Sequence, residues 1–457
     1  MKQWIIKSTL YLVMIASWPM QLMAQNEEKI LEFETVLERA IQHYPEIRMA
    51  KIEQEKADLQ RKLVLQTYLP KATLEANYTW LDDPLKFNLP PMSIEVAPGM
   101  TVEPELPDIF LQDDEFYSAN IRLEQVLFTG GKVPNKARAA REKSKSLGYM
   151  TEAKKSDIMQ AVAEAWDRLA LIRESILVVD EGLERVRFEY ERSVKAYEKG
   201  LIPYFDLTKI RYFEQELIQQ KNELQGNLEL TFQLLEMYTG IPAEKFRNTE
   251  AGLAELNIDE KNKEAANIWQ KRPEYLAADH AVKANQNAIR AQRGNYMPQV
   301  FAFYHREFFE DELSVLDPVR AIGVGLRWEI FNRGQTTRKY QLAQRERSAA
   351  IEQQRMANSG LKLKYQQALT DIDNARMKIE TAKIMKNEAE TSLKLSERRY
   401  ELGLATIGER LEAEVEFQNA QFQMNKALFD HRRSVIDYLQ STAQLSPETM
   451  AQLSGKF

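Results

Sequence analysis

Two very long amphipathic patterns, each free of internal proline, restrict this chain more than any other feature. From Val133 to about Lys199 the sequence is rich in Ala, Glu, Lys and Arg, with no proline after Pro134. A helix of about 68 residues at 1.5 Å per residue is roughly 100 Å long. No globular domain needs such a rod, so it must lie along other helices as a coiled coil. A second rod runs from Gln335 to Leu402 and packs through Leu361, Tyr365, Leu369, Ile372 and Ile379. Each is followed by a shorter returning helix. In the first return Ile210, Leu217 and Leu224 are seven apart, widened by Leu207, Leu228 and Leu235, until Gly240-Ile-Pro242 stops it. In the second, Val415, Phe422, Phe429 and Ile436 hold the same spacing.

The turns that join rod to return repeat each other. Tyr197-Glu-Lys-Gly200-Leu-Ile-Pro-Tyr-Phe-Asp206 aligns with Tyr400-Glu-Leu-Gly403-Leu-Ala-Thr-Ile-Gly-Glu409 at an offset of 203. A glycine three residues after a tyrosine, between two amphipathic runs, reads as a left-handed helix end followed by a restart. The duplication extends upstream, where Arg272-Pro-Glu-Tyr answers Tyr44-Pro-Glu-Ile and Pro298 answers Pro70 at an offset of 228. The chain is therefore one supersecondary order run twice.

Each copy also carries two strands. Phe33 to Tyr68 reads as one helix, ended by Leu69-Pro70. The first strand, about 70–80, alternates Ala72, Leu74, Ala76, Tyr78 and Trp80 against Lys71, Thr73, Glu75, Asn77 and Thr79. Ten residues with one apolar face and terminal aromatics match a tilted membrane strand. The others are expected at 119–128, at 298–308, where both faces are apolar and the orientation is open, and at 321–331, where Ile322, Val324, Leu326, Trp328 and Ile330 alternate with smaller or charged residues. The fall in offset from 228 to 203 marks an insertion of 25 residues between Leu81 and Glu115. It holds six prolines, and nine acids against Lys86 alone, so it reads as an acidic loop without strands that projects from the sheet rim.

With 457 residues, 28% of them charged, and a net charge of −6, the chain is neither a polybasic nucleic-acid binder nor a disordered acidic tail. Its mean hydropathy of −0.49 excludes a bundle of membrane helices. Lys2 and Lys7, the apolar run to Leu22 and a small residue before Gln25 read as a secretory leader over 1–24. There is no cysteine, so neither disulfides nor a lipidated N-terminal cysteine are available. His43, His280, His305 and His431 lack metal-ligand spacing, Thr129-Gly-Gly-Lys132 reads as a strand-to-helix turn and not as a phosphate loop, and no nucleophile motif is present. No catalytic site, metal or cofactor is expected. Four strands cannot close a barrel, because such barrels need about eight and lipid does not tolerate open edges.

The duplicated order of helix, strand, strand, rod, Tyr-x-x-Gly turn and returning helix resembles the TolC-type outer-membrane efflux proteins over nearly the whole mature chain. The resemblance implies a mixed α and β, TolC-like fold. In it, 25–242 forms a first repeat with its rod at about 133–200, and 271–445 a second with its rod at about 335–402. Residues 243–270 form a linker that, with the tail at 446–457, contributes to a belt around the tube. It further implies a homotrimer in the outer membrane, twelve strands in one barrel above a periplasmic coiled-coil tunnel. That assembly serves as the passive exit duct of a tripartite efflux or type I secretion-like system, working with a periplasmic adaptor and an inner-membrane pump of RND or ABC type. By resemblance Asp206, Tyr400, Glu409 and Glu412 lie at the pore constriction, and Tyr197, Gly200, Leu201, Gly403 and Leu404 form the tip turns that dock the adaptor. This chain has Ala405 where a basic gate residue is common in the family, and glutamates where aspartate is common. The acids also read as solvated helix-surface charges. A periplasmic coiled-coil adaptor or structural protein is the alternative function, but an adaptor would lack lipid-faced strands.

Overall fold

The computed structural model describes residues 31–87, 93–102, 109–249, 251–256, 267–309 and 319–454; the expected leader at 1–24 lies outside them. The first helical segment is two helices, α1 (Phe33–His43) and α2 (Pro45–Gln66), where one was expected over Phe33–Tyr68. Pro45 takes the first helical position of α2, and Tyr44 before it is extended at φ −65° and ψ 125°. A proline forces the preceding residue out of the helical region while suiting the first turn itself. Further along, a helix that begins at Pro273 behind an extended Arg272 is built the same way. The two Pro-Glu pairs are thus matching helix starts.

After α2 come β1 (Lys71–Trp80), four short strands β2 (Leu85–Phe87), β3 (Ile94–Ala97), β4 (Met100–Val102) and β5 (Ile109–Gln112), and then β6 (Glu115–Phe128). The rod α3 (Lys132–Glu198) turns into α4 (Tyr204–Thr239), and a short α5 (Glu244–Arg247) and a 3-10 turn at Ile268–Lys271 lie in the linker. The second copy is α6 (Pro273–Arg293), β7 (Gln299–Glu307), β8 (Arg320–Arg327), the rod α7 (Gln335–Glu401) and α8 (Ile407–Ser441), followed by α9 (Pro447–Ser454). Both rods are 67 residues long. The largest core lies where α1, α3, α4 and α8 meet, and includes Phe33, Leu37, Trp166, Leu169, Phe232, Leu235 and Leu439.

The four long strands form one antiparallel sheet in the order β1-β6-β7-β8. β6 begins four residues earlier than its alternation indicated, because Glu115 to Ser118 pair with Trp80 to Asn77 of β1. β8 ends at Arg327 and not at 331, because its partner begins at Gln299 opposite Arg327 and offers nothing further to pair with. Register also settles the face of β7. Leu74 stands opposite Ile121, Leu123 opposite Tyr304, and Tyr304 opposite Ile322, so Val300, Ala302 and Tyr304 share the apolar outer face. That face is bare: Ile322 is 85% and Val324 69% exposed. The other face carries Thr73, Glu75, Asn120, Arg122 and Glu124, matching the wet side of a membrane strand.

The acidic insertion is not strandless. β2 pairs with β5 and β3 with β4, two short nested hairpins that extend the β1–β6 hairpin. The ladders survive because Pro84 precedes β2 and Pro98 sits with Gly99, at φ +89°, in the turn between β3 and β4. Pro90, Pro91, Pro104 and Pro107 lie outside the described residues.

On the inner face Phe301 and Phe303 lie flat over Gly325 and Gly323 of the next strand. A Cβ added at Gly325 would stand 2.4 Å from the Phe301 ring. Gly325→Val should therefore cost about 1–3 kcal/mol by overpacking and deplete the folded, heat-modifiable species on a gel. Adding Phe301→Ala should restore it; a single variant that assembles normally would show that the ring does not set this spacing.

Candidate functional site

The far ends of the two rods are built by one backbone device used twice. At the first, Gly200 donates to the Tyr197 carbonyl at 2.8 Å and Leu201 to the Ala196 carbonyl at 2.9 Å. At the second, Gly403 donates to Tyr400 at 3.0 Å and Leu404 to Arg399 at 2.8 Å. These paired bonds are the Schellman motif, which needs a left-handed residue, and Gly200 (φ +74°) and Gly403 (φ +70°) supply it. The repeated tyrosine-to-glycine spacing follows, since the tyrosine carbonyl closes the loop. Leu201 and Leu404 stand 73% and 66% exposed at the two apices, beside exposed Tyr204 and Phe205. The Tyr197 and Tyr204 rings meet across the first turn at 5.7 Å.

Asp206 and Glu409 then occupy the same place, the third residue of α4 and of α8. A carboxylate there is favoured by the helix N-terminal dipole. For Glu409 the role is more definite. Thr406 accepts from the Glu409 amide at 3.2 Å while the Glu409 carboxylate accepts from the Thr406 amide at 3.3 Å, a complete capping box. Arg399 lies 3.7 Å from the same carboxylate and also donates to the Leu404 carbonyl. Glu412 is exposed one turn on, beside a cleft lined by Tyr212, Phe213, Leu411 and Val415. Glu409 and Glu412 are therefore not equivalent.

Tyr400 is half-buried between the rods. Burial raises its hydroxyl above the ordinary tyrosine value, with the negative charges of Glu189 and Asp206 adding to the shift and Ser193 and Arg192 opposing it. Arg192 also covers its ring at 5.9 Å. The Asp206 charge, from the opposite repeat, thus reaches Tyr400 only through its field, while Glu409 is engaged with its own helix start.

Sequence reasoning missed the ionic seam just above the turns. Arg185 and Glu189 on α3 meet Glu414 and Arg410 on α8 in antiparallel order: Arg185 Nη2 to Glu414 at 2.8 Å, and Arg410 Nε to Glu189 at 3.7 Å, with Glu397 also 3.3 Å from Arg410. Glu414, Glu189 and Arg410 are buried. The signal was present as two Arg-to-Glu pairs four residues apart in the same order, Arg185/Glu189 and Arg410/Glu414, which antiparallel packing sets against one another. Further up, Arg432 and Asp167 meet at 2.8 Å inside the protein.

The family model described as "outer membrane efflux protein" matches residues 36–240 and 266–437. The chain belongs to that family. Searching curated proteins returns no sequence match. Among solved structures, the outer membrane protein VceC of Vibrio cholerae superposes with a TM-score of 0.73 at 16% identity, covering 90% of this chain and 95% of that one. The CmeC outer membrane channel of Campylobacter jejuni gives 0.73 at 16%, covering 96% and 94%. The MtrE outer membrane channel of Neisseria gonorrhoeae, solved in its open state, gives 0.67 at 15%, covering 90% and 88%. The fold is thus that of these TolC-like channels, and by family this chain is an outer membrane efflux protein.

Two outcomes follow for the tip. Glu409→Ala removes the reciprocal half of the capping box while leaving the Thr406 cap, and should cost about 0.5–1.5 kcal/mol, read as faster hydrogen exchange in the first turn of α8, whereas Glu409→Gln should keep most of the protection. Equal loss in both would mean that charge and not capping holds the turn. Arg410→Ala leaves Glu189 buried without its cation and should cost about 3–5 kcal/mol, seen as a lower thermal midpoint of helical circular dichroism; an unchanged midpoint would remove the seam from the account.

Proposed function

We propose that three copies of this chain close one twelve-stranded barrel and a helical tunnel beneath it, forming the passive exit duct of a tripartite export system. The observation that carries this reading is the open sheet. Its apolar outer face is exposed and, among the described residues, neither edge strand, β1 or β8, has a second strand partner, a combination that lipid tolerates only if other copies complete the barrel. The same exposed face argues against a periplasmic adaptor, which has no use for it.

The tip is the gate and the docking end in this reading. Leu201 and Leu404, held out by Gly200 and Gly403 and flanked by Tyr197, offer the apolar contact for a periplasmic adaptor, itself coupled to an inner-membrane pump of RND or ABC type. Asp206 and Tyr400 join the two coiled coils at the constriction, and Glu412 is the acid free to face the pore, with Glu409 contributing charge from its cap. Threefold repetition of these acids would make the constriction cation-selective.

Purified in detergent, the protein should have three times the monomer mass and should change gel mobility on heating; a monodisperse monomer would sink the trimeric duct. In planar bilayers Tyr400→Phe with Asp206→Ala should raise conductance, and Glu412→Gln should relieve block by multivalent cations more than Glu409→Gln does. Equal relief by the two glutamate variants would contradict the distinction drawn between them. Leu201→Asp with Leu404→Asp should abolish export while leaving the trimer intact, and full export in that variant would move docking away from the apices.

A further inference from the structure

Where the sheet gives way to the rods, the sequence turns strongly basic. α3 opens with Lys132 and Lys136, and α7 with Arg338 and Lys339. Lys132, Lys136 and Lys339 converge with Arg327, the last residue of β8, on a cavity of about 610 Å³. Glu329 is the one carboxylate in its lining, and it lies 3.3 Å from the amide of Asn332. Among the described residues no carboxylate lies within 4.0 Å of any of the three lysine ammoniums.

Three further observations describe what the cavity would hold. Gln299 and Arg327 stand opposite one another in the β7–β8 ladder, and the Arg327 guanidinium covers the Phe301 ring at 5.1 Å, so the cavity opens on the inner face of the sheet. Burial first, and then the neighbouring Lys136 and Lys339 charges, hold Lys132 below the usual lysine range, with the Glu329 carboxylate opposing the shift. Both rods begin here, Lys132 as the first residue of α3 and Thr336 as the second of α7, and each helix N-terminus adds about half a positive charge. Asn295, Gln292 and Thr336 add neutral polar groups. Several cations and amide donors around one space suit a multi-oxygen dianion better than a single carboxylate.

We propose that this cavity is a binding site for a phosphate group, one per chain, at the base of the barrel. Its inner-face position, which rests on the reading of that face as the duct lumen, favours a soluble phosphorylated solute over a lipid headgroup. The site would then draw anions at the level where the tunnel meets the membrane, in contrast to the acidic insertion above it and the acidic tip below.

The full-length protein in detergent, at fixed ionic strength, should bind inorganic pyrophosphate saturably with one site per chain in calorimetry. Lys132→Gln with Lys339→Gln should weaken binding about tenfold, and Lys132→Arg with Lys339→Arg should retain it. Lys426→Gln, far along α8, should leave it unchanged. Circular dichroism and heat-modifiable migration of each variant report folding separately, and binding by a species that is not trimeric would separate this site from the trimeric reading. In parallel, native mass spectrometry from nanodiscs of phosphatidylglycerol in phosphatidylcholine should show no lipid retention that depends on Lys132 and Lys339. Such retention without pyrophosphate binding would support a phosphate site but overturn the lumenal solute in favour of a headgroup. Neither pyrophosphate binding nor lysine-dependent retention would overturn the site altogether.

Discussion

The structure depends on two unsatisfied edges. β1 and β8 lie at opposite ends of a four-stranded sheet, and each presents a row of backbone donors and acceptors that hydrocarbon cannot solvate. Everything else about the chain is compatible with that demand. The outer face is apolar where lipid must touch it, and the inner face places aromatic rings over glycines, which lets neighbouring strands approach closely. The rods continue directly from β6 and β8 through the glycine turns at Gly130-Gly131 and Gly334, all left-handed. Gly130 has a second constraint, since a Cβ there would lie 2.3 Å from Met297.

Duplication supplies the scaffold, and divergence between the copies supplies the candidate gate. Both turns use the same Schellman closure, but the first restarts on Pro203, which has no side-chain cap, and the second on Thr406 with its capping box. Arg410, one residue past the box, has Leu207 as its counterpart in the first copy. The second copy therefore provides the cation that enters the seam with Glu189 of the first. Such buried pairs are weak evidence of stability, because desolvation offsets the attraction. Asp167 makes the point: burial outweighs the adjacent Arg432 and lifts its carboxyl to about 6, so its ionised form is not favoured by the fold.

Much of this was legible in the residues. The rods, the turns and the alternation of β1 and β8 follow from period and from glycine placement, because side chains on a long helix or a two-faced strand have few alternatives. What was hidden depended on partners. β7 is apolar on both faces, so only its register with β6 and β8 reveals which face is outside. The end of β8 was set by the start of β7 and not by Trp328 and Ile330, which continue the pattern. The insertion hid its hairpins because proline content does not say whether prolines fall in ladders or between them. At the tip, the spacing placed Glu409 and Glu412 on one face but could not distinguish a cap from a free carboxylate, since that depends on Thr406.

The most direct test of the account is whether β1 of one chain pairs with β8 of another. The native sequence has no cysteine, so one can be placed at Glu75 or Asn77 in β1 and another at Ala321 in β8 without background. Within a chain these strands are separated by β6 and β7, which leaves only crosslinks between chains. Oxidation in native membranes should give a covalent ladder ending at three chains, strongest for one register and absent when either cysteine is omitted. Crosslinking that never exceeds one chain at any register would contradict the shared barrel and with it the reading of this protein as a duct.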